Sequence, residues 1–213
     1  MLGWLVQLHL LAPTEHGFDA GFSRIKRTEL AHGAWLDYGQ GWLADQAELF
    51  ETLLQNTAWQ ATEQHMYDRN VATPRLTAAA PEHPLLDSMR LALNDRYNQQ
   101  FDRVSLALYR DGRDSVAFHG DRIAREMPNA LVATVSLGAP RRFLLRPHKD
   151  MPPTRSLAFN LGWGDLLVMG GSCQRTWQHS IPKVKHADPR IAIMFRPVWN
   201  ANNAATPAAK AST

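Results

Sequence analysis

The sequence predicts an α+β chain in which helices come first and an all-β core of sandwich or barrel type follows. Three observations predict it. Residues 43–55 carry Leu43, Ala47, Phe50 and Leu54 at helical spacing, and residues 84–98 place Leu85, Met89, Leu93 and Tyr97 four apart. After residue 101 the texture changes to short apolar runs with β-branched or aromatic members, separated by turn signals. The chain has 213 residues, 45% apolar and 20% charged, which supports one domain with a substantial core and excludes wholesale disorder.

The apolar start, Met1 to Pro13, is interrupted by Gln7 and His9 and is too short to span a bilayer. It lacks the basic leader of a secretory signal, so the expectation is a cytoplasmic protein with no membrane partner. Residues 13–33 read as irregular, with a basic cluster at Arg24, Lys26 and Arg27. The two helical stripes read as core-facing, and Pro84 suits the first turn of the second helix. The strand runs are Val104–Tyr109, Ser115–His119, Leu131–Leu137, Arg142–Leu145, Leu157–Asn160, Leu166–Met169 and Ile191–Val198. The breaks include Arg110-Asp111-Gly112, Gly138-Ala139-Pro140, Pro152-Pro153, Gly162-Trp163-Gly164 and Gly170-Gly171. Many short strands at this spacing indicate a sandwich or barrel. Residues 200–213 form a low-complexity tail, expected to be disordered.

The single cysteine, Cys173, rules out a disulfide framework and a cysteine-only metal site, and reads as a buried bystander. Charge is uneven. Residues 1–100 hold seven Lys and Arg against twelve Asp and Glu, net −5; residues 101–213 hold sixteen against eight, net +8. A basic half fits a polyanionic partner such as nucleic acid.

Nine histidines invite a search for a metal site. A non-haem iron oxygenase needs two His and one carboxylate on one face of the metal. His-x-Asp at a strand end supplies two of them, because residues two apart point the same way. The chain has three such pairs: His119/Asp121, His148/Asp150 and His186/Asp188. His119 closes an apolar strand. His148 lies in a Pro-flanked loop, a poor scaffold for a rigid ligand set, and His186 has no later histidine to complete a triad. For the third ligand, His179 follows the Leu166–Met169 run and the Gly-Gly break. Such chemistry also needs a dicarboxylate held by fixed cations, and Arg suits carboxylates through its bidentate fork. Arg190 and Arg196 are six apart on an apolar strand, so they share a face, with Cα atoms roughly 20 Å apart.

The ordered set Tyr109, His119-x-Asp121, His179, Arg190 and Arg196 resembles the AlkB family of iron- and 2-oxoglutarate-dependent dioxygenases. The surrounding text strengthens the resemblance: residues 108–116 (LYRDGRDSV), 135–138 (VSLG), 141–146 (RRFLLR), 164–171 (GDLLVMGG), 174–183 (QRTWQHSIPK) and 189–197. Upstream, Met66-Tyr67-Asp68-Arg69 and Pro74-Arg75-Leu76-Thr77 look like the family's substrate lid. The resemblance runs from about Glu29 to Trp199.

The resemblance implies a double-stranded β-helix (jelly roll) core with N-terminal helices and a nucleotide-recognition lid at about 59–82. It implies a dioxygenase domain over 29–199, preceded by an extension over 1–28. Fe(II) would be held by His119, Asp121 and His179. Tyr109 and Arg190 would hold the distal carboxylate of 2-oxoglutarate, with Arg196 near the end that chelates iron and O2 as second co-substrate. The implied activity is oxidative demethylation of 1-methyladenine and 3-methylcytosine in DNA, or RNA, with the base flipped out of the helix, by a monomer. Met66, Tyr67, Arg69, Arg75, Phe118 and Trp177 are the candidate substrate contacts. The alternatives are the same oxygenase acting on tRNA, protein or a small molecule, and a non-catalytic nucleic-acid-binding relative.

The chain departs from the family pattern at four places. Ala107 and Ala192 stand where members often have Asn contacting 2-oxoglutarate, and Ile123 where some have an acidic residue near the base edge. The lid continues Thr77-Ala78-Ala79-Ala80-Pro81 rather than with an aromatic and a glycine. Arg141 and Arg142 alternate across a strand, so at most one of them faces a given surface.

Overall fold

The architecture is given by a computed structural model. It describes residues 17–66, 69–121, 127 and 129–198, and of residues 62–66 and 69–72 the backbone alone. Among the described residues the elements run β1 (Lys26–Glu29), a 3-10 turn (Ala31–Gly33), β2 (Ala34–Gly39), α1 (Gln46–Asn56), β3 (Gln60–Met66), β4 (Arg69–Ala79), α2 (Pro84–Tyr97) and β5 (Arg103–Tyr109). They continue with β6 (Val116–His119), β7 (Val132–Gly138), β8 (Arg141–Pro147), β9 (Leu157–Leu161), β10 (Asp165–Gly171), α3 (Cys173–Thr176), β11 (Trp177–Ile181) and β12 (Arg190–Arg196).

The strands form two sheets. The larger has the order β1-β2-β10-β7-β12-β5-β4-β3 and the smaller β6-β11-β8-β9, with antiparallel pairing throughout. This is the strand-rich, mixed architecture of a double-stranded β-helix with few helices. Strand alternation divides the interior into two layers. Leu106 and Leu108 of β5, and Ile191, Ile193 and Phe195 of β12, face outward and pack with Leu49 and Leu53 of α1 and Leu86, Met89 and Leu93 of α2. Ala107, Tyr109 and Ala192 face inward and pack with Phe143, Leu145, Trp177 and Ile181 of the smaller sheet. The helices therefore cover one face of the large sheet and leave the other to the small sheet. The functional candidates on β5 and β12 lie on that inner face.

Both predicted helices form. His83 caps α2, its Nδ1 accepting from Leu85 N–H, and Pro84 takes the first turn as expected. The left-handed Asn98 ends it. In α1 the fully buried pair is Leu49 and Leu53, while Phe50 and Leu54 pack at the edge of the core. The expected order of helices first, strands second is corrected. Four strands come from the N-terminal half, and β2 sits inside the large sheet between β1 and β10. Its apolar pattern is masked by Asp37, a 1% exposed carboxylate that a bidentate Arg27 and the Tyr97 hydroxyl satisfy. β3 is polar because it is an edge strand, fastened by backbone pairing to β4.

The folded unit also begins before Glu29. Phe18 and Phe22 are buried against Trp42, with ring centroids 4.8 and 5.6 Å away, and β1 occupies a segment expected to be irregular. Residues 1–16 and the expected tail, 200–213, lie outside the described residues. Among the described residues no helix is long and apolar enough to cross a membrane.

Candidate metal and co-substrate site

β6 and β11 are antiparallel neighbours, with His119 directly opposite His179. The two rings therefore lie 4.3 Å apart, centroid to centroid. Asp121 follows two residues after His119, where β6 has ended. Its Oδ1 is 3.7 Å from His119 Nε2 and 3.9 Å from His179 Nε2. The ligand-type atoms of the three residues lie within 4.8 Å of one another, and among the described residues this is the group that could hold a metal ion.

Local packing enforces the arrangement. A Cβ at Gly120 would run into the backbone carbonyl of Gln174, so the residue between the two candidate ligands must be glycine. The Gln174 side chain accepts the Asp121 N–H at 2.9 Å. His119 Nδ1 lies 2.8 Å from the Ala117 carbonyl oxygen. A carbonyl only accepts, so Nδ1 carries the proton and Nε2 keeps its lone pair for a metal. Phe143 stacks on the His179 ring, 5.4 Å away and 13° from parallel.

The protonation states fit a metal. Burial pushes the His179 imidazole down to about 3, with the charges of His119, Arg196 and Arg75 adding to that effect and Asp121 opposing it. Burial raises the Asp121 carboxyl, but Arg196 and the two histidines outweigh it and hold it at about 2. A neutral imidazole and an ionised carboxylate are the forms a metal requires. Two imidazole nitrogens and one carboxylate suit a divalent first-row metal such as Fe(II).

The inner face of the large sheet supplies the cations. Arg196 Nε donates to Asp121 Oδ2 at 2.6 Å, its Nη1 donates to Ser105 Oγ at 2.9 Å, and its Nη2 reaches Met194 Sδ at 3.2 Å. At the other end of β12, Arg190 pairs with Tyr109 across the β12–β5 ladder. Arg190 is 1% exposed and donates from Nη2 to Ser136 Oγ at 2.7 Å, while its buried Nε has no partner among the described residues. Burial pushes this guanidinium down to about 10. An under-compensated buried cation with an orphaned donor fits the carboxylate of an anionic co-substrate. Between the two arginines, Ala192 faces Ala107 directly across the ladder, and both are buried. The two departures from the family's Asn pattern are thus one patch, an apolar floor where two amides would otherwise stand.

The remaining candidates divide. Arg75, on β4, is near enough for its charge to bear on His179, and its buried Nε has no partner among the described residues. Trp177 is 2% exposed, packed between the sheets, and its indole N–H donates to the Ala31 carbonyl. At that exposure it is a core residue, not a platform for a base. Phe118 alternates with His119 along β6, so it points to the opposite face, where the Arg146 guanidinium lies 3.7 Å over its ring. Met66 and Arg69 pair across the β3–β4 hairpin through their backbones. Their side chains, and Tyr67 and Ile123, lie outside the described residues. His148 engages its own loop through Asp150. Cys173 is buried. Arg141 turns inward and Arg142 outward, as alternation requires. Reading the chain missed Gln174, Ser136, Ser105 and Phe143. Their partners are far away in sequence, and none has a motif of its own.

Comparison with known proteins follows the same lines. Residues 43–196 match the model of the 2OG-Fe(II) oxygenase superfamily. The human alpha-ketoglutarate-dependent dioxygenase alkB homolog 3 is 29% identical over 176 residues, 71% of this chain and 61% of that protein. The human DNA oxidative demethylase ALKBH2 is 34% identical over 125 residues, 55% of this chain and 48% of that protein. The chain thus spans less than two thirds of the length of these relatives. Among solved structures, OsALKBH1 superposes with a TM-score of 0.52 at 14% identity, covering 81% of this chain and 100% of that one. A Trichoplax adhaerens prolyl hydroxylase, in complex with a hypoxia inducible factor peptide fragment, gives 0.56 at 13%, covering 81% and 87%. At such identities the structures establish the fold alone, which is that of this oxygenase class. The family match, the alkB-type relatives and the shared fold place the chain in the 2OG-Fe(II) oxygenase superfamily, as an AlkB-type member.

Proposed function

We propose that the protein removes N-methyl groups oxidatively from 1-methyladenine and 3-methylcytosine in DNA, or in RNA, using Fe(II), 2-oxoglutarate and O2. The observation that carries this reading is the triad His119, Asp121 and His179 at the smaller sheet, with Arg196 of the larger sheet bonded to Asp121. In this reading the three residues hold the metal. With 2-oxoglutarate and O2 bound, the metal would supply an oxidant that hydroxylates the N-methyl carbon, releasing succinate and CO2; the hydroxymethyl group then leaves the base as formaldehyde.

The protein's own residues position and shield. Tyr109 and Arg190 hold the distal carboxylate of the co-substrate. Arg196 fixes the Asp121 carboxylate so that one oxygen stays turned toward the histidines. Phe143 and Leu145 exclude water from one side. Arg75 faces the triad from the lid strand and contacts the flipped base or its sugar. The basic half of the chain, net +8, holds phosphates and makes binding salt-sensitive. Support for a nucleic-acid substrate comes from this charge and from the similarity to relatives named as DNA oxidative demethylases.

The test is incubation of anaerobically iron-loaded protein with 2-oxoglutarate, O2 and a single-stranded oligonucleotide carrying 1-methyladenine or 3-methylcytosine. Oligomer mass and succinate are measured, with Asp121→Ala as control. Loss of one methylene equivalent, absent in the control, is the expected result. Succinate without repair assigns the same oxygenase to another substrate. Neither product, from a sample shown to hold iron, points to a binding-only relative.

A further inference from the structure

Tyr109 has two buried arginines against it, not one. Its ring centroid is 5.3 Å from the Arg190 guanidinium carbon and 5.6 Å from that of Arg141, so the two carbons are at most 10.9 Å apart. Arg141 is 2% exposed and reaches this place from β8, in the opposite sheet. Its Nη1 donates to the Asp111 carbonyl at 3.0 Å, and its Nη2 donates to the carbonyls of Asp114 and Pro182, both at 2.8 Å. These are neutral acceptors. They anchor the side chain but leave its charge in place, and its buried Nε, like that of Arg190, has no partner among the described residues.

Asp165 accepts from the Tyr38 hydroxyl and from the backbone of Gly41 and Gly162, all neutral donors, so its charge remains and offsets part of that of Arg190. Asp114 is held by Arg110 and Asp111 by Arg113. Among the described residues neither buried arginine has a carboxylate hydrogen-bonded to it. Two like charges beside one phenol, both out of water, leave an excess of positive potential that a second carboxylate on a bound ligand would relieve.

We propose that Arg141 is the residue that makes the co-substrate site selective for a dicarboxylate, by adding a second buried positive charge beside Tyr109 and Arg190. The inference rests on the co-substrate reading above. Arg141 acts through the field at Tyr109, not through contact with the reacting atoms. Its three carbonyl anchors also join the 111–114 turn and the chain leaving β11 to this cluster, so the charge is held at a fixed distance.

The test compares 2-oxoglutarate with 2-oxopentanoate, which has the same carbon chain and no distal carboxylate. Binding to the Mn(II)-loaded protein is measured by calorimetry for the parent, Arg141→Met, Arg141→Gln, Arg141→Lys and the outward-facing control Arg142→Met. The parent prefers 2-oxoglutarate. Either neutral variant at Arg141 should cut that preference about tenfold while Mn(II) affinity stays within about twofold, because the lost term is a charge–charge interaction at the distal end alone. Arg141→Gln keeps donors for the carbonyls and covers the case in which Arg141→Met does not fold. Arg141→Lys and Arg142→Met should keep the preference within about threefold. An unchanged preference in a folded neutral variant overturns the proposal. So does a folded Arg141→Lys that loses the preference equally, since that result assigns the effect to shape. A parent protein that binds Mn(II) but not 2-oxoglutarate would instead remove the co-substrate reading itself.

Discussion

Arg196 Nε donates to one oxygen of the Asp121 carboxylate at 2.6 Å, while the other oxygen stands 3.7 and 3.9 Å from the two histidine Nε2 atoms. One carboxylate thus serves two partners with two different oxygens. The arginine takes Oδ2 and so presents Oδ1 to the triad. Because Arg196 sits on the large sheet and His119 and His179 on the small one, this bond also ties the two sheets together.

Replacing Arg196 with Met should therefore weaken metal binding about 10- to 100-fold, the usual effect of removing a group that orients a ligand. A Mn(II) titration followed by electron paramagnetic resonance reads this directly, with circular dichroism confirming the fold. Unchanged Mn(II) affinity in a folded variant would mean that Asp121 is oriented by other groups.

Gly120→Ala tests the close approach of β6 to α3. The added Cβ meets the Gln174 carbonyl, so either Asp121 or the α3 turn must shift. Overpacking of this kind costs about 1–3 kcal/mol. The expected outcome is a folded protein with a lowered unfolding midpoint and at least about tenfold weaker Mn(II) binding. Parent-like values on both measurements would show that the site yields without cost.

Asp37 tests the packing of the N-terminal strands. Its carboxylate accepts from Arg27 at 2.7 and 2.9 Å and from the Tyr97 hydroxyl at 3.0 Å, and Arg27 also lies 3.8 Å over the Trp35 ring. Asp37→Asn removes the negative charge and leaves Arg27 facing a neutral amide. A loss of about 1–3 kcal/mol is expected in urea unfolding, with Mn(II) affinity unchanged because the cluster lies on the outer face of the sheet.

Tyr38 carries a pH prediction. Burial and the neighbouring Asp165 carboxylate push its phenol up to about 12. Between about pH 10, the ordinary tyrosine value, and about 12, the folded protein keeps this proton while the unfolded chain loses it. Stability therefore falls as pH rises through that window. In Tyr38→Phe the urea midpoint should fall less steeply from pH 9.5 to 11. Part of the slope should remain, because burial and Asp37 raise Tyr97 as well. An identical slope in parent and variant would show that Tyr38 titrates as if exposed.

Several features were legible in the chain because they depend on local periodicity. The two helices follow from apolar residues every three or four positions. The placement of Arg190 and Arg196 on one face follows from strand alternation, as does the opposite orientation of Arg141 and Arg142. Strands β5, β7, β8, β9, β10 and β12 are apolar enough to announce themselves. β2 was not legible because Asp37, polar in an otherwise buried strand, is tolerable only once Arg27 and Tyr97 arrive from β1 and α2. β3 was not legible because an edge strand can be polar on both faces. That Trp177 is buried was not legible either, because its packing between the sheets and the Ala31 carbonyl that takes its indole N–H, 146 positions away, come from distant parts of the chain.

Spacing along the chain carries two helical stripes, a series of alternating strands, a His-x-Asp at a strand end and two arginines six apart. Tertiary structure decided which of three His-x-Asp pairs meets a second histidine, since that depends on β6 and β11 lying side by side in register. It decided that Arg196 reaches Asp121 and that Arg141 joins Arg190 at Tyr109, since each contact crosses from one sheet to the other. Periodicity is a property of neighbouring residues and can be read along the chain. Convergence depends on strand order and register across the sheets, which arise only when the whole core packs.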